Sequence, residues 1–317
     1  MKKWGVFFLL GLVWGSSFLF ISVGVEQASP FQVVFIRTAI AAVGLNLVLA
    51  VQGKRIPLNW QKFYPQLLLG AFNTVVPFVL ITWGEQTVAS GLASVLNATA
   101  ALFTLIIAHF WFTDERITPR KLIGLLLGFA GVVVLILGQP SHDESGASSV
   151  IGMLAIVLAA VFYGFGGSYG KSVLKLLGNP IMVSAGAMTT AAVMSGVLMV
   201  LSPVFGGQPL TPFNELSGDP LIALLLLGVV NTFGAYLMYY WLVGELGAAR
   251  SSMVTYVTPP IGIALGALIL NEPVTAWLIV GGLMILAGIA IVNLRLSMFR
   301  RAPQPVPTVV PEPAQSR

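Results

Sequence analysis

The chain has 317 residues, of which 57% are hydrophobic and only 9% are charged, and its mean hydropathy is +0.92. Soluble domains carry about 25% charged residues, so this composition excludes a soluble globular protein. The lack of cysteine excludes disulfides, thiol catalysis and thiolate metal sites. Because about 20 apolar residues form a helix that crosses a bilayer, the sequence predicts an all-α polytopic membrane protein.

In chain order, the apolar runs predict ten transmembrane helices separated by short polar connections. The predicted spans cover approximately residues 4–25, 30–51, 64–83, 88–112, 119–138, 150–170, 179–202, 220–242, 248–270 and 275–297. They fall into two five-helix units, residues 1–138 and 150–301, joined by a polar external linker at 139–149. The proline-rich end, residues 302–317, is predicted to be a disordered cytoplasmic tail.

The basic residues follow the predicted topology. Of the 16 lysines and arginines, 15 fall at the two termini, in the even-numbered connections or within three residues of them, and the odd-numbered connections contain none. Since lysine and arginine accumulate on the cytoplasmic side, both termini are predicted to be cytoplasmic in a multi-pass protein of the cell (plasma or inner) membrane. The net charge of +5 therefore reflects topology, and no nucleic-acid partner is expected.

The two halves of the chain also resemble each other in sequence. Small, polar and aromatic residues of the first half recur 157 or 158 positions later: Gly70, Asn73, Thr74, Trp83, Ser94, Glu115, Thr118, Gly124 and Gly131 match Gly228, Asn231, Thr232, Trp241, Ser251, Glu272, Thr275, Gly281 and Gly288. Each half has five spans, an odd number, so the second half is predicted to be inverted in the membrane. Inverted repeats in carriers place the substrate near the midplane between the halves.

The second half carries a recognisable motif: Thr258-Pro259-Pro260, then Asn271-Glu272-Pro273, then Gly281-Gly282 and Gly288. With two such units over about residues 4–297, the chain resembles the EamA family of the drug/metabolite transporter superfamily. The first half departs from the pattern, because Asn97-Ala98-Thr99 stands where a proline is expected. The resemblance implies export of amino acids, related metabolites or drugs, and its motifs do not name a substrate.

Arg37 lies about seven residues into predicted span two, deeper than any other basic residue in a predicted span. A charge at such depth is costly unless it is paired or hydrated, and it usually marks function. We expect Arg37 either to attract a substrate carboxylate or another anion, or to bind backbone carbonyls, lipid headgroups or Glu26 at the outer rim. Its counterpart in the second half is Ala187, so the duplication itself does not require a cation.

Amide and aromatic side chains deep in the spans are the other candidates for substrate binding: Trp14, Asn73, Asn97, Tyr163, Asn231 and Tyr236. An amide in hydrocarbon must find a hydrogen-bond partner, so the asparagines either bind substrate or join helices. A cavity lined by aromatic rings and a few polar groups suits an amphipathic solute. Packing between helices is the alternative for each ring.

Pro259 and Pro260 remove two backbone donors from the middle of span nine and predict a helix break, either static or part of a gate. Glu115 and Glu272 lie at helix ends, where each is expected to favour the start of the following helix. All 11 acidic residues lie near span ends or in connections. Proton coupling stays open and would have to use one of the titratable residues near the edges: Glu26, Glu85, Glu245 or His109.

The sequence thus predicts a secondary transporter, an exporter of small organic metabolites such as amino acids or related amphipathic solutes, working by alternating access. A non-specific drug exporter or a channel is the alternative; an intramembrane enzyme is disfavoured, since the spans show no catalytic dyad. No cofactor and no metal site are expected. The expected partners are a small-molecule substrate and the lipid bilayer, with monomer and dimer both open.

Overall fold

The structure, a computed structural model, describes residues 2–112, 116–138, 144–205, 207–246 and 248–293. Over these ranges the chain is helical, and ten helices are long and apolar enough to cross a membrane. They are Lys2–Gly24, Pro30–Val51, Trp60–Gly84, Ser90–Trp111, Pro119–Leu137, Ser149–Leu177, Pro180–Phe205, Gly218–Leu246, Ser252–Ile269 and Ala276–Asn293. The predicted all-α polytopic fold is confirmed. We number these helices as spans one to ten.

Span six departs most from its predicted limits. The glycine-rich end predicted at residue 170 continues as helix, and the helix Glu144–Leu177 also begins inside the predicted linker. It ends at Gly178, whose φ of +68° suits glycine and terminates a helix. Glu115 and the predicted tail at 302–317 lie outside the described residues, as do residues 139–143 of the linker.

Polar side chains in the predicted connections cap the first turn of several spans. Ser29 and Gln32 form a capping box at the start of span two, and Asn179 accepts a hydrogen bond from the Met182 amide at the start of span seven. These side chains satisfy backbone N–H groups that the first helical turn leaves without partners.

Spans three and eight each contain a π-helical turn near the middle. In span three it covers Ala71–Val75, between Trp60–Gly70 and Val76–Gly84; in span eight it covers Val229–Gly234, between Gly218–Gly228 and Ala235–Leu246. Both turns contain an Asn-Thr pair, and the pairs are 158 positions apart. π-helical turns are rare and frequently occur at functional sites, so these two turns are candidate positions for the functional site.

Span nine is divided into a 3₁₀ helix, Ser252–Tyr256, and an α-helix, Thr258–Ile269. Pro259 and Pro260 lie in the first turn of that α-helix, where a missing N–H costs little, so the division of the span falls directly before them. Span four is interrupted at the matching place, between Ser90–Asn97 and Ala100–Trp111. No proline is needed there, because the Thr99 hydroxyl bonds the Leu96 carbonyl at 2.6 Å and competes with the helical pattern.

Spans five and ten pack against each other along a stripe of glycines. A Cβ at Gly124 would lie 2.6 Å from the Gly288 carbonyl oxygen, and one at Gly131 would lie 2.7 Å from that of Gly281. Such close backbone approach needs small residues. This pair forms a structural unit apart from the polar residues described next.

Candidate functional site

Arg37 lies buried in the bundle, with 6% of its surface exposed. Its Nε donates a hydrogen bond to the Thr232 hydroxyl at 3.3 Å, and its guanidinium carbon lies 3.8 Å from the centre of the Phe78 ring. Glu26 does not pair with it: over the described residues, no carboxylate oxygen lies within 4.0 Å of its nitrogens. A buried guanidinium therefore faces one hydroxyl and one ring, with its remaining N–H groups available to a ligand.

Two of the predicted binding residues lie near this guanidinium. Tyr163 of span six and Tyr236 of span eight are both within electrostatic range of Arg37. The Tyr163 ring also packs edge-on against Phe78, with 6.5 Å between centroids. We call Arg37, Phe78, Tyr163, Thr232 and Tyr236 the Arg37 cluster. It combines one cation, three aromatic rings and a hydroxyl contributed by four different spans.

The π-helical turn of span eight positions Thr232. The threonine hydroxyl donates to the Leu227 carbonyl five residues earlier, at 2.8 Å, so its oxygen is free to accept from Arg37. Phe78 and Thr232 are members of the cluster that sequence reasoning did not select. The sequence signal for Thr232 was its recurrence with Thr74 at a separation of 158 positions; Phe78 is one of 19 phenylalanines and carries no signal of its own.

A row of aromatic rings leads from the Arg37 cluster to Trp14. Ring centroids are 6.2 Å apart between Tyr236 and Tyr240, 5.6 Å between Tyr240 and Tyr239, and 5.5 Å between Tyr239 and Trp14. Trp14 itself packs against an apolar cluster of spans one, eight and nine. The row follows span eight toward the bundle end that contains Lys3 and Glu245, which form an ion pair at 2.7 Å. We call this end the Lys3 end.

The three predicted asparagines have different surroundings. Asn231 donates from Nδ2 to the Val13 carbonyl and to the hydroxyls of Ser16 and Ser17, and so joins spans eight and one. Its Oδ1 is buried without a partner within the described chain, and so is Oδ1 of Asn97. Asn73 packs directly against Gly166 of span six. Over the described residues, none of the three forms a hydrogen bond or a ring contact with the Arg37 cluster, and the alternative that an asparagine joins helices describes Asn231 best.

The opposite end of the bundle is held by a carboxylate that crosses between the halves. Glu272 accepts hydrogen bonds from the Ser90 amide at 2.6 Å and the Gly91 amide at 2.9 Å. The expectation that it favours the following helix is wrong, since it caps span four instead of span ten. Glu85, directly after span three, is 5% exposed at this same end. We call it the Glu85 end.

Two grooves on the outside of the bundle differ from this polar interior. One, of about 350 Å³, lies between Gly44 and Phe233, and the other, of about 460 Å³, lies beside Phe35 and Val197. Their walls are almost wholly apolar, so they suit lipid chains better than a polar solute. Over the described residues, no group of three or more histidine, aspartate or glutamate side chains could hold a metal ion.

Comparison with known proteins places the chain among transporters. A protein of Archaeoglobus fulgidus described as an uncharacterized transporter is 32% identical over 299 residues, which cover 92% of this chain and 99% of that protein. The uncharacterized inner membrane transporter YedA of Escherichia coli K12 is 27% identical over 98% of this chain and 96% of its own length. A probable amino-acid metabolite efflux pump of the same organism is 27% identical, over 92% and 94% respectively.

The family model for EamA-like transporters matches the chain twice, at residues 3–137 and again at residues 150–294. Each matched range contains one π-helical turn and one interrupted span. The chain therefore belongs to the EamA-like transporter family: it is a multi-pass membrane transporter and not an enzyme.

Proposed function

We propose that this transporter is a secondary exporter of small organic solutes that carry a carboxylate and an apolar part, amino acids and related metabolites among them. The solute's carboxylate binds Arg37, and its apolar part packs against Phe78, Tyr163 and Tyr236. Transport proceeds by alternating access in the cell membrane, with both termini in the cytoplasm.

One observation carries the proposal: Arg37 is buried and has no ion-pair partner over the described chain. A buried charge without a counter-ion costs several kcal/mol, so a cation kept in this state marks a function inside a membrane protein. Guanidinium binds a carboxylate through two parallel hydrogen bonds. An anionic group therefore supplies what the Arg37 cluster lacks, and the surrounding rings favour an amphipathic solute.

Alternating access is supported by the paired features of the two family matches. Spans three and eight contain matching π-helical turns, and spans four and nine are interrupted at matching places. Interrupted helices at the interface of inverted repeats are where carriers bind their cargo. The Glu272 cap links span four to the connection after span nine at the Glu85 end, while the aromatic row leads from the Arg37 cluster toward the Lys3 end. This arrangement supports entry from the Lys3 end, which the basic residues assign to the cytoplasm.

Counterflow into proteoliposomes tests the proposal. Liposomes containing the purified protein are loaded with unlabelled L-leucine and diluted into a trace of labelled L-leucine; matched liposomes are loaded with L-leucinamide, which lacks the carboxylate. We expect saturable accumulation of label with the amino acid inside, and little with the amide. Non-saturable flux would favour a channel, and equal exchange with the amide and with cationic drugs would favour a non-specific drug exporter.

A further inference from the structure

Glu85 is a buried carboxyl group to which the proposed binding of solute gives no role. It is 5% exposed, and neither of its carboxylate oxygens has a hydrogen-bond partner within the described chain. Buried carboxylates are almost always paired or hydrogen-bonded, because an unpaired one loses its hydration without compensation. A carboxyl group left in this state is most easily accommodated when it is neutral.

The local backbone also disfavours a negative charge at this position. Glu85 is the C-terminal cap of Val76–Gly84, and its amide bonds the Ile81 carbonyl. The C-terminal end of a helix carries partial negative charge, which repels a carboxylate. The end of span three and the following connection pack closely on span six: a Cβ at Gly84 would lie 2.8 Å from the Gly152 carbonyl oxygen, and one at Gly152 would lie 2.6 Å from the Thr87 hydroxyl oxygen. The Glu85 side chain therefore has little access to water.

Two charged groups act on Glu85 across helix interfaces. Glu272, from the connection after span nine, repels its charged form, and Arg37, from span two, attracts it. Burial has the largest effect, and with the repulsion of Glu272 it raises the pKa of Glu85 well above its ordinary value of 4.5 despite the opposing effect of Arg37. Glu272 itself keeps its charge satisfied by the Ser90 and Gly91 amides.

We infer that Glu85 is a proton-binding residue of the transport cycle, and that its bound proton stabilises an anion at Arg37. This inference rests on the proposed function. Arg37 is the only group among those acting on Glu85 that favours its ionised form. When a solute carboxylate binds Arg37, it neutralises that attraction and adds a second negative charge nearby, so Glu85 holds its proton more tightly. Solute anion and proton then bind cooperatively.

The proton balance is simple. In the empty site above the pKa of Glu85, one proton moves from bulk water to a Glu85 oxygen as the solute anion binds, and the same proton returns to water when the anion leaves. The proton's positive charge balances the negative charge of the carboxylate. For a simple carboxylate anion the site's net charge therefore does not change, and for an amino-acid zwitterion it rises by the one charge of the ammonium group. By linkage, affinity for the anion is constant at low pH and falls by up to about tenfold per pH unit above that pKa.

The first experiment needs no ligand. Infrared spectra of the purified protein are recorded from about pH 5 to about pH 8, with Glu85→Gln as the isosteric variant and Glu245→Gln as the control at the Lys3 end. We expect a protonated-carboxyl band that Glu85→Gln lacks and Glu245→Gln retains. If wild type and Glu85→Gln show the same bands throughout, Glu85 is ionised and the inference is wrong.

The second experiment measures L-leucine affinity over the same pH range. We expect wild type and Glu245→Gln to lose affinity as the pH rises, and Glu85→Gln to bind with one affinity throughout. Leucine binding that is independent of pH in wild type would overturn the inference and leave the proposed function intact. If no carboxylate-bearing solute binds at any pH, the proposed function fails and the linkage fails with it; the infrared spectra still decide whether Glu85 carries a proton.

Discussion

The two π-helical turns share an Asn-Thr pair but differ in what lies across from them. In span eight the Thr232 hydroxyl accepts a hydrogen bond from Arg37 of span two. In span three the matching Thr74 is fully buried, its hydroxyl has no partner within the described chain, and the span-seven residue that corresponds to Arg37 is Ala187. A π-helical turn with an Asn-Thr pair therefore occurs in both halves, whereas the buried cation beside it occurs in one.

Comparing the two interfaces distinguishes what helix packing needs from what the proposed binding of solute needs. The span three–span seven interface shows that the scaffold packs without a charge, since Ala187 is 4% exposed and lies against Gly70. Arg37 is thus not required for helix packing, and its burial without a counter-ion lowers stability. The proposed binding of a solute carboxylate would explain why a buried cation is kept at this cost in stability.

Arg37→Ala places alanine at the position that corresponds to Ala187, so that neither interface contains a cation. Among the variants considered, it should have the largest effect on leucine affinity. Removing the buried cation should leave the unliganded melting temperature unchanged or raised, because the uncompensated charge is gone. Leucine affinity should fall by roughly 10- to 100-fold, which corresponds to the loss of a charge-assisted hydrogen bond of about 1.5–3 kcal/mol. Thermal melts with and without L-leucine measure both quantities. A variant that unfolds more easily and still binds leucine would make Arg37 structural.

Glu85→Gln should change how stability depends on pH. The pKa of Glu85 is raised in the folded protein, so above its ordinary value of 4.5 the folded state binds more protons than the unfolded state. Stability therefore falls as the pH rises from that value to the raised pKa, by up to about 1.4 kcal/mol per pH unit. Melting temperatures should show this decline in wild type and a flatter profile in Glu85→Gln. Parallel profiles would show that Glu85 is ionised normally.

Thr232→Val and Thr74→Val form a matched pair that sharpens the comparison. Valine keeps the shape and removes the hydroxyl. Thr232→Val takes away the acceptor for Arg37, so we expect a loss of about 1–3 kcal/mol in stability together with weaker leucine binding. Thr74→Val removes a hydroxyl without a partner and should be neutral or slightly stabilising. Equal losses in the two variants would mean that the Arg37 contact contributes nothing.

Glu245→Gln should have the smallest effect. The Lys3–Glu245 pair is about half exposed, with 50% and 39% of the two side chains accessible. Exposed ion pairs contribute about 0–1 kcal/mol, so the melting temperature and leucine affinity should stay near wild type. A large change in either quantity would show that this ion pair matters for the structure of the Lys3 end.

The sequence was sufficient for the ten spans, because long apolar runs follow directly from the properties of the bilayer. The orientation inferred from lysine and arginine stays a prediction. The sequence also identified Arg37, since a charge inside an apolar run is conspicuous, and it selected Tyr163 and Tyr236 near it. It could not show that Thr232 and Phe78 contact the guanidinium, because these contacts depend on how spans two, three and eight cross. For the same reason, the Glu272 cap on span four was assigned to the wrong helix.

Direct binding of matched acids and amides tests the central claim that Arg37 binds a solute carboxylate. Thermal stabilisation of wild type and Arg37→Ala is measured with a panel of amino acids and the corresponding amides, since a ligand raises stability by mass action. We predict that some acids stabilise wild type, that their amides do not, and that Arg37→Ala loses this preference. Acids and amides that stabilise both proteins equally would contradict it.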